Sequence, residues 1–359
     1  MDKKVLIACT AYGGGNIGDE AILHSLVKGL RENDISNIKV LTIDPLTTQE
    51  RLNVKTARMK AKDLIVESLR SDAIICGGAT VLSDYTRSFF IRSILARIFG
   101  KKMIYLGIGA NKISDDFITK TLIKMGIFLS SYIAVRDLET KQELIRIGIK
   151  KDVDVMGDPA HIVGKPASYK FDAFLKKYNL KKEKQYLAIA LSGEPDFMDK
   201  IPIEEISNAI KKISETYNLF PVFIAMNFRE DQDINVLIEV QKRVKNGVVI
   251  QEDIEPELIA ELTNYFKLVV STRLHLVILS STNSVPSIGI ARGNKMMNML
   301  NRLNLPLLPE IKNIKENDIV EAANEIMNHY DMKVKYIEKQ IDELKLSNEK
   351  IFKKIAHEI

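Results

Sequence analysis

The chain has 359 residues, 46% hydrophobic and 28% charged, a globular composition that excludes disorder, collagen and coiled-coil rods and, at about 150 residues per domain, points to two domains. Its 52 Lys and Arg against 47 Asp and Glu leave +5, with both signs interleaved and no long like-charge block, so nucleic acid is not an expected partner. Two cysteines, Cys9 and Cys76, each inside an apolar run, exclude a disulfide scaffold and fit a reducing compartment.

In chain order, short β-rich apolar runs alternate with segments of helical period. The opening MDKKVLIACTAY has the lysines and apolar run of a signal peptide, but it leads into glycines instead of a small-residue cleavage site and reads as a first buried strand. Helix DEAILHSLVKGLREN follows, then strands IKVLTI and DAIICGG, helix RSFFIRSILARIFG, strands KMIYLGIG and SYIAV, and helix LETKQELIRIGI. Such alternation predicts α/β architecture with parallel sheets and helices on both faces. The rhythm pauses over GDPAHIVGKPASYKF, which reads as a hinge. It resumes with QYLAIALS, a helix over Ile203 to Tyr217, FPVFIAM, a helix around Val236 to Val244, GVVI, KLVVSTR and VPSIGI. Leu274 to Ala291 is uncharged but interrupted by Ser280, Asn283 and Pro286, so it would span no bilayer. The expected domains are 1–165 and 166–330, two halves facing a cleft, and a closing amphipathic helix over 331–359. In that tail Ile337, Ile341, Leu344, Ile351 and Ile355 form an apolar stripe, and acids accompany nearly every lysine, which favours a helix lying on the protein over one lying on a membrane.

Two glycine turns follow strands. Gly13-Gly14-Gly15-Asn16-Ile17-Gly18 satisfies G-x-G-x-x-G, and Asp44 stands where a ribose-binding acid would. Yet Asp19 and Glu20 fall in the first helical turn, where they satisfy the helix dipole and would repel a pyrophosphate, so no dinucleotide is expected. Either the glycines merely permit a sharp turn with Asp19 as cap, or the loop and its acidic pair face the cleft and suit a neutral hydroxylated ligand such as a sugar. Gly77-Gly78-Ala79-Thr80 is a second turn of the same kind.

Strand KLVVS leads into Thr272-Arg273-Leu274-His275 and a helix; after strand VPSIGI, Arg292-Gly293-Asn294-Lys295 opens another. A histidine with apolar neighbours is commonly a core residue, and a lysine there a surface one. Strand-to-helix turns, however, present backbone N–H groups, and two of them with His275 and Lys295 would make an anion site. Arg136, ending strand SYIAV, either pairs with Asp137 or Glu139 or forks a ligand carboxylate. Asp158 is another strand-end acid. No zinc-spaced Cys/His cluster is present, so no metal or other cofactor is expected.

GGGNIGDEAIL, GGATVLSD, YLGIGAN, AVRD, GDPA and RLHLVILSSTNSVPSIGIARGNK, in this order over Val5 to Leu300, resemble the polysaccharide pyruvyl transferase family. The resemblance implies two Rossmann-like domains as in GT-B glycosyltransferases and transfer of pyruvate from phosphoenolpyruvate onto a saccharide as a ketal, in cell-surface polysaccharide biosynthesis. It implies that Arg136, His275 and Lys295 hold the donor. His275, as acid at the donor carbon or at the departing phosphate, and Asp19, toward the acceptor hydroxyl, form the expected catalytic pair. Arg273, Gly15, Asn16, Gly18, Gly77 and Gly78 complete the expected substrate-binding set. Ala79 stands where the family more usually has a third glycine. The partners implied are phosphoenolpyruvate and a saccharide acceptor, free or lipid-linked; peripheral membrane contact and a homo-oligomer stay open. The expected location is cytoplasmic, with the inner membrane face as a variant of it. The alternatives are a GT-B glycosyltransferase using a nucleotide sugar and a non-catalytic sugar-binding protein of the same fold.

Overall fold

The computed structural model describes residues 3–9, 12–194, 201–229, 232–291, 294–308 and 310–359. The chain divides into two units: one holds Met1–Gly14, Asp19–Val163 and Leu344–Ile359, the other Gly15–Gly18 and Gly164–Glu343. The division after Val163 lies two residues before the expected one, and the expected tail is shared between the units.

Unit one has strands β1 (Val5–Ile7), β2 (Ile38–Thr42), β3 (Lys55–Arg58), β4 (Ala73–Gly77), β5 (Lys102–Ile108), β6 (Tyr132–Val135) and β7 (Asp154–Val155). All pair parallel, in the order β3-β2-β1-β4-β5-β6-β7. The crossover helices are α1 (Ile17–Arg31), α2 (Pro45–Leu52), α3 (Ala61–Arg70), α4 (Thr86–Ile98), α5 (Phe117–Leu129) and α6 (Leu138–Arg146). Central strands such as β4 and β6 are buried along their whole length, which is why they read as continuous apolar runs. A buried Phe89 seats α4 on α5, where a Cβ at Gly126 would come within 2.3 Å of its ring.

Unit two repeats the plan: β8 (Tyr186–Ala190), β9 (Phe220–Ile224), β10 (Val248–Ile250), β11 (Phe266–Ser271), β12 (Ser287–Ile290) and β13 (Leu307–Leu308), all parallel, in the order β10-β9-β8-β11-β12-β13. Its helices are α7 (Ser168–Lys177), α8 (Ile203–Tyr217), α9 (Gln232–Val244), α10 (Pro256–Leu262), α11 (Leu274–Ser281), α12 (Asn294–Leu303), α13 (Glu316–Asn328) and α14 (Tyr330–Glu358). Each sheet reverses its winding once, between β1 and β4 and between β8 and β11, and ligands of open α/β sheets bind at such switch points.

The last half of α14 belongs to unit one. Phe352, 1% exposed, packs where a Cβ at Gly29 would lie 2.7 Å from its ring, and Leu344 covers Gly157. Ser347 Oγ donates to the Val155 carbonyl at 3.0 Å, Asn348 Nδ2 to the Asp158 carbonyl at 3.1 Å, and Lys354 pairs with Asp154 at 2.7 Å. Burying each large apolar side chain of this stripe contributes about 1.5–3 kcal/mol. Among the described residues no helix is long and apolar enough to cross a membrane.

Candidate active site

The C-terminal edge of unit two carries a polar cluster at the switch point between β8 and β11. Asp233, fully buried in the first turn of α9, is its centre. One carboxylate oxygen accepts the Gly193 N–H at 3.0 Å; the other accepts those of Met226 at 3.3 Å and Asn227 at 3.1 Å. Arg273 forks onto both oxygens, Nε donating at 3.0 Å and Nη2 to the second oxygen, while its Nη1 donates to Glu194 at 2.8 Å. Burial would lower the pKa of this guanidinium, but Asp233 and then Glu194 hold it above its ordinary value.

Arg273, expected to bind substrate, is thus engaged within the protein. An unpaired buried guanidinium costs several kcal/mol, and Asp233 supplies the partner from 40 residues away in sequence. The turn it caps is pinned as well: Ser271 Oγ accepts the Arg273 N–H at 2.9 Å, and Thr272 Oγ1 accepts the Ser192 N–H at 2.7 Å.

His275 is therefore presented from a fixed turn, half-buried in the first turn of α11, at the positive end of the helix dipole. Its ring lies against the bare Cα of Gly18: a Cβ there would stand 2.1 Å from Nδ1. Gly18 is held in place by the segment before it. The Ile17 N–H donates to the Met226 carbonyl at 3.0 Å, the Phe228 N–H to the Gly15 carbonyl at 2.8 Å, and Asn16 bridges Asn227 while its Oδ1 accepts the Gly18 N–H at 2.9 Å. Gly15 adopts φ +75°, which glycine takes without strain. Lys295, half-buried, opens α12 on the neighbouring strand-to-helix turn, after β12, which pairs with β11. Arg292 and Gly293 lie outside the described residues. Unit two thus gathers Gly15, Asn16, Gly18 and His275 and sets Lys295 one strand away.

The other expected residues lie in unit one. Arg136 ends β6 with its side chain 9% exposed; Nε donates to Asp137 at 3.2 Å, and Nη1 lies 3.8 Å from Asp158. Asp137 also caps α6 through the Thr140 N–H at 2.8 Å, and Asp158 caps the turn Pro159–Ile162 through the Ala160 N–H at 3.0 Å. Of the two readings of Arg136, the structure displays the ion pairs.

Gly13 takes φ +71° with a Cβ position 2.0 Å from Thr42 Oγ1, and its N–H donates to Glu20 at 2.6 Å. Glu20 is 3% exposed, and burial raises its pKa against the lowering pull of that hydrogen bond. The expected acidic pair is accordingly split, with Glu20 closing the loop from inside and Asp19 left half-buried. Gly77 and Gly78, expected at the ligand, make room for α1: Cβ atoms there would stand 2.5 Å from Leu26 and from Ile22. Ala79 adopts φ +57°, the left-handed conformation that a glycine would hold without strain.

Asp233 and Glu194 escaped sequence reading. An acid opening a helix is ordinarily a cap, and only the fold reveals that Asp233 ties three loops together.

Compared with known families, residues 16–294 match the model of polysaccharide pyruvyl transferase. No curated protein matches the chain. Among solved structures, the Staphylococcus aureus MnaA–UDP complex is similar with TM-score 0.64 at 12% identity, covering 94% of this chain and 91% of that one. UDP-GlcNAc 2-epimerase from Methanocaldococcus jannaschii gives TM-score 0.64 at 15% identity over 90% and 92% of the two chains. Anabaena HepE in complex with UDP-glucose gives 0.59 at 13% over 99% and 98%. These likenesses establish the fold, two parallel-sheet α/β domains of GT-B type.

Proposed function

The chain belongs to the polysaccharide pyruvyl transferase family, and on that premise we propose that it transfers pyruvate from phosphoenolpyruvate to a saccharide as a ketal, in the building of a cell-surface polysaccharide. The observation that carries the reading is His275 seated on Gly18 at a helix N-terminus, with Lys295 opening the next helix along the same sheet edge. A histidine, a lysine and two helix N-termini suit a phosphate. In the proposed reaction the methylene carbon of the donor gains a proton, a sugar hydroxyl bonds to the adjacent carbon, and the carbon–oxygen bond to phosphate breaks. A second hydroxyl then closes the ketal, so that one hydroxyl proton ends on the methyl group and the other on phosphate. His275 carries the proton to the donor, Lys295 meets the charge that grows on phosphate, and Asp19 orients the acceptor hydroxyl. Arg273 acts by positioning: it fixes the turn from which His275 projects.

The similar structures include complexes with UDP, UDP-GlcNAc and UDP-glucose, which supports a nucleotide sugar as the second reading of the same helix N-termini. Phosphate release from phosphoenolpyruvate, measured across free and lipid-linked saccharides, separates the two. Release that depends on a saccharide supports the proposal; no release with any acceptor, together with a thermal shift by UDP-sugars alone, overturns it.

A further inference from the structure

Unit one carries an apolar face that its own core does not use. Among the described residues, α4 and α5 hold six of the eighteen exposed large hydrophobic side chains: Ile91, Ile98, Phe117, Ile118, Met125 and Phe128. Phe117 and Phe128 are 83% and 84% exposed. At 3.6 residues per turn the four on α5 fall within an arc of about 100°, and Ile91 and Ile98 fall within about 20° of each other on α4. The two helices pack side by side through Phe89 and Gly126, so both stripes belong to one outer surface. Scattered exposed apolar residues need no explanation, but a surface built this way does.

Its charge is one-sided. The helices contain Arg87, Arg92, Arg97, Lys120 and Lys124 and no acid, in a chain with 47 acids overall. Arg87, Arg97 and Lys124 are exposed around the stripes, and Tyr85, 47% exposed, stands at the start of α4. The acids at the N-terminal edge of α5 are spoken for. Asp115, lowered to about 2 by Lys120 and Arg146, pairs with both, and Asp116 caps the helix through the Thr119 N–H at 2.8 Å.

We propose that the outer face of α4 and α5 docks unit one on an anionic lipid bilayer, with Phe117 and Phe128 entering the headgroup boundary and the arginines and lysines meeting lipid phosphates. Apolar stripes edged by cations are what an anionic bilayer surface retains. A second copy of the chain is the poorer occupant, because a two-fold interface sets this face against itself and brings cations to cations with no acid on either helix to answer them. The inference is independent of the reaction proposed above.

The test uses the full chain in co-sedimentation with phosphatidylcholine vesicles, with and without phosphatidylglycerol. The expected result is binding to the anionic vesicles that weakens as salt is raised. Phe117→Ser/Phe128→Ser should reduce the partition coefficient by about ten-fold or more without moving the melting temperature, since both rings are exposed. Arg87→Glu/Arg97→Glu should abolish the preference for phosphatidylglycerol. Absence of binding to anionic vesicles, or binding that survives both double variants, overturns the proposal. So does a dimer in light scattering that Phe117→Ser/Phe128→Ser converts to monomer, which would give the face to a second copy.

Discussion

Gly18→Ala tests the placement of His275 without touching the histidine. The new Cβ would stand 2.1 Å from Nδ1, whereas ordinary contact begins at 3.4 Å, so the ring must retreat by about 1.3 Å. The strand-to-helix turn that bears it cannot follow, because Arg273 is locked by Asp233 and Thr272 by Ser192. Overpacking of this kind costs about 1–3 kcal/mol of stability. A displacement of about 1 Å at a reacting group costs on the order of 10²-fold in turnover. The assay is saccharide-dependent phosphate release, with the melting temperature followed in parallel and Gly15→Ala as control. That control strains a backbone at φ +75° beside Phe228 but leaves His275 alone, so it should lower stability more than turnover. The decisive comparison adds Gly18→Ala to His275→Asn. If the glycine acts through the histidine, the double variant should be no slower than His275→Asn alone. Normal turnover by a folded Gly18→Ala protein, or losses that simply multiply, would refute the role given to this contact.

Three further outcomes follow from particular residues. Asp233→Asn removes the charge facing a buried Arg273 and should cost about 3–5 kcal/mol in urea unfolding; a loss below about 1 kcal/mol would mean that Glu194 alone suffices. Ala79→Gly relieves φ +57° and, after the larger chain entropy of glycine, should stabilise by about 0.5–1 kcal/mol, so an unchanged or lower melting temperature would sink the claim of strain there. Because burial raises Glu20 above the ordinary 4.5, the native state binds its proton more tightly than the unfolded chain does. That contribution is present below 4.5 and fades as pH rises through the raised value; Glu20→Gln should therefore match the wild type in urea midpoint at about pH 4 and exceed it at about pH 7, and a constant difference would refute the assignment.

The βα alternation was legible because buried parallel strands are apolar along their whole length, as β4 and β8 are. Strand β3, KTAR, escaped: it lies at the sheet edge with both ends exposed, and its composition carries no signal. Helix α5 escaped for the opposite reason. It is apolar on its outer face as well as its inner one, which erases the period that marks a helix. At the site, the sequence pattern located the turns but could not tell one glycine from another. Gly13 and Gly18 stand five residues apart in one motif, yet the first is required by Thr42 and the second by His275. Arg273 and Asp233 could not be paired by reading, because 40 residues separate them.

The division of α14 orders events during synthesis. Residues 344–359 complete unit one, yet they leave the ribosome after every residue of unit two has been made. Until then the surfaces around Gly29 and Gly157 stand bare, and the Asp158 carbonyl lacks the bond that Asn348 will donate. Unit two can thus close on itself first, while unit one, started earlier, finishes later. A chain ended at Glu343 should accordingly yield a protease-resistant core from 164–343 and be cut within 19–163; the reverse pattern would show that unit one needs no late arrival. The first half of the sequence is, in this sense, the last to become native.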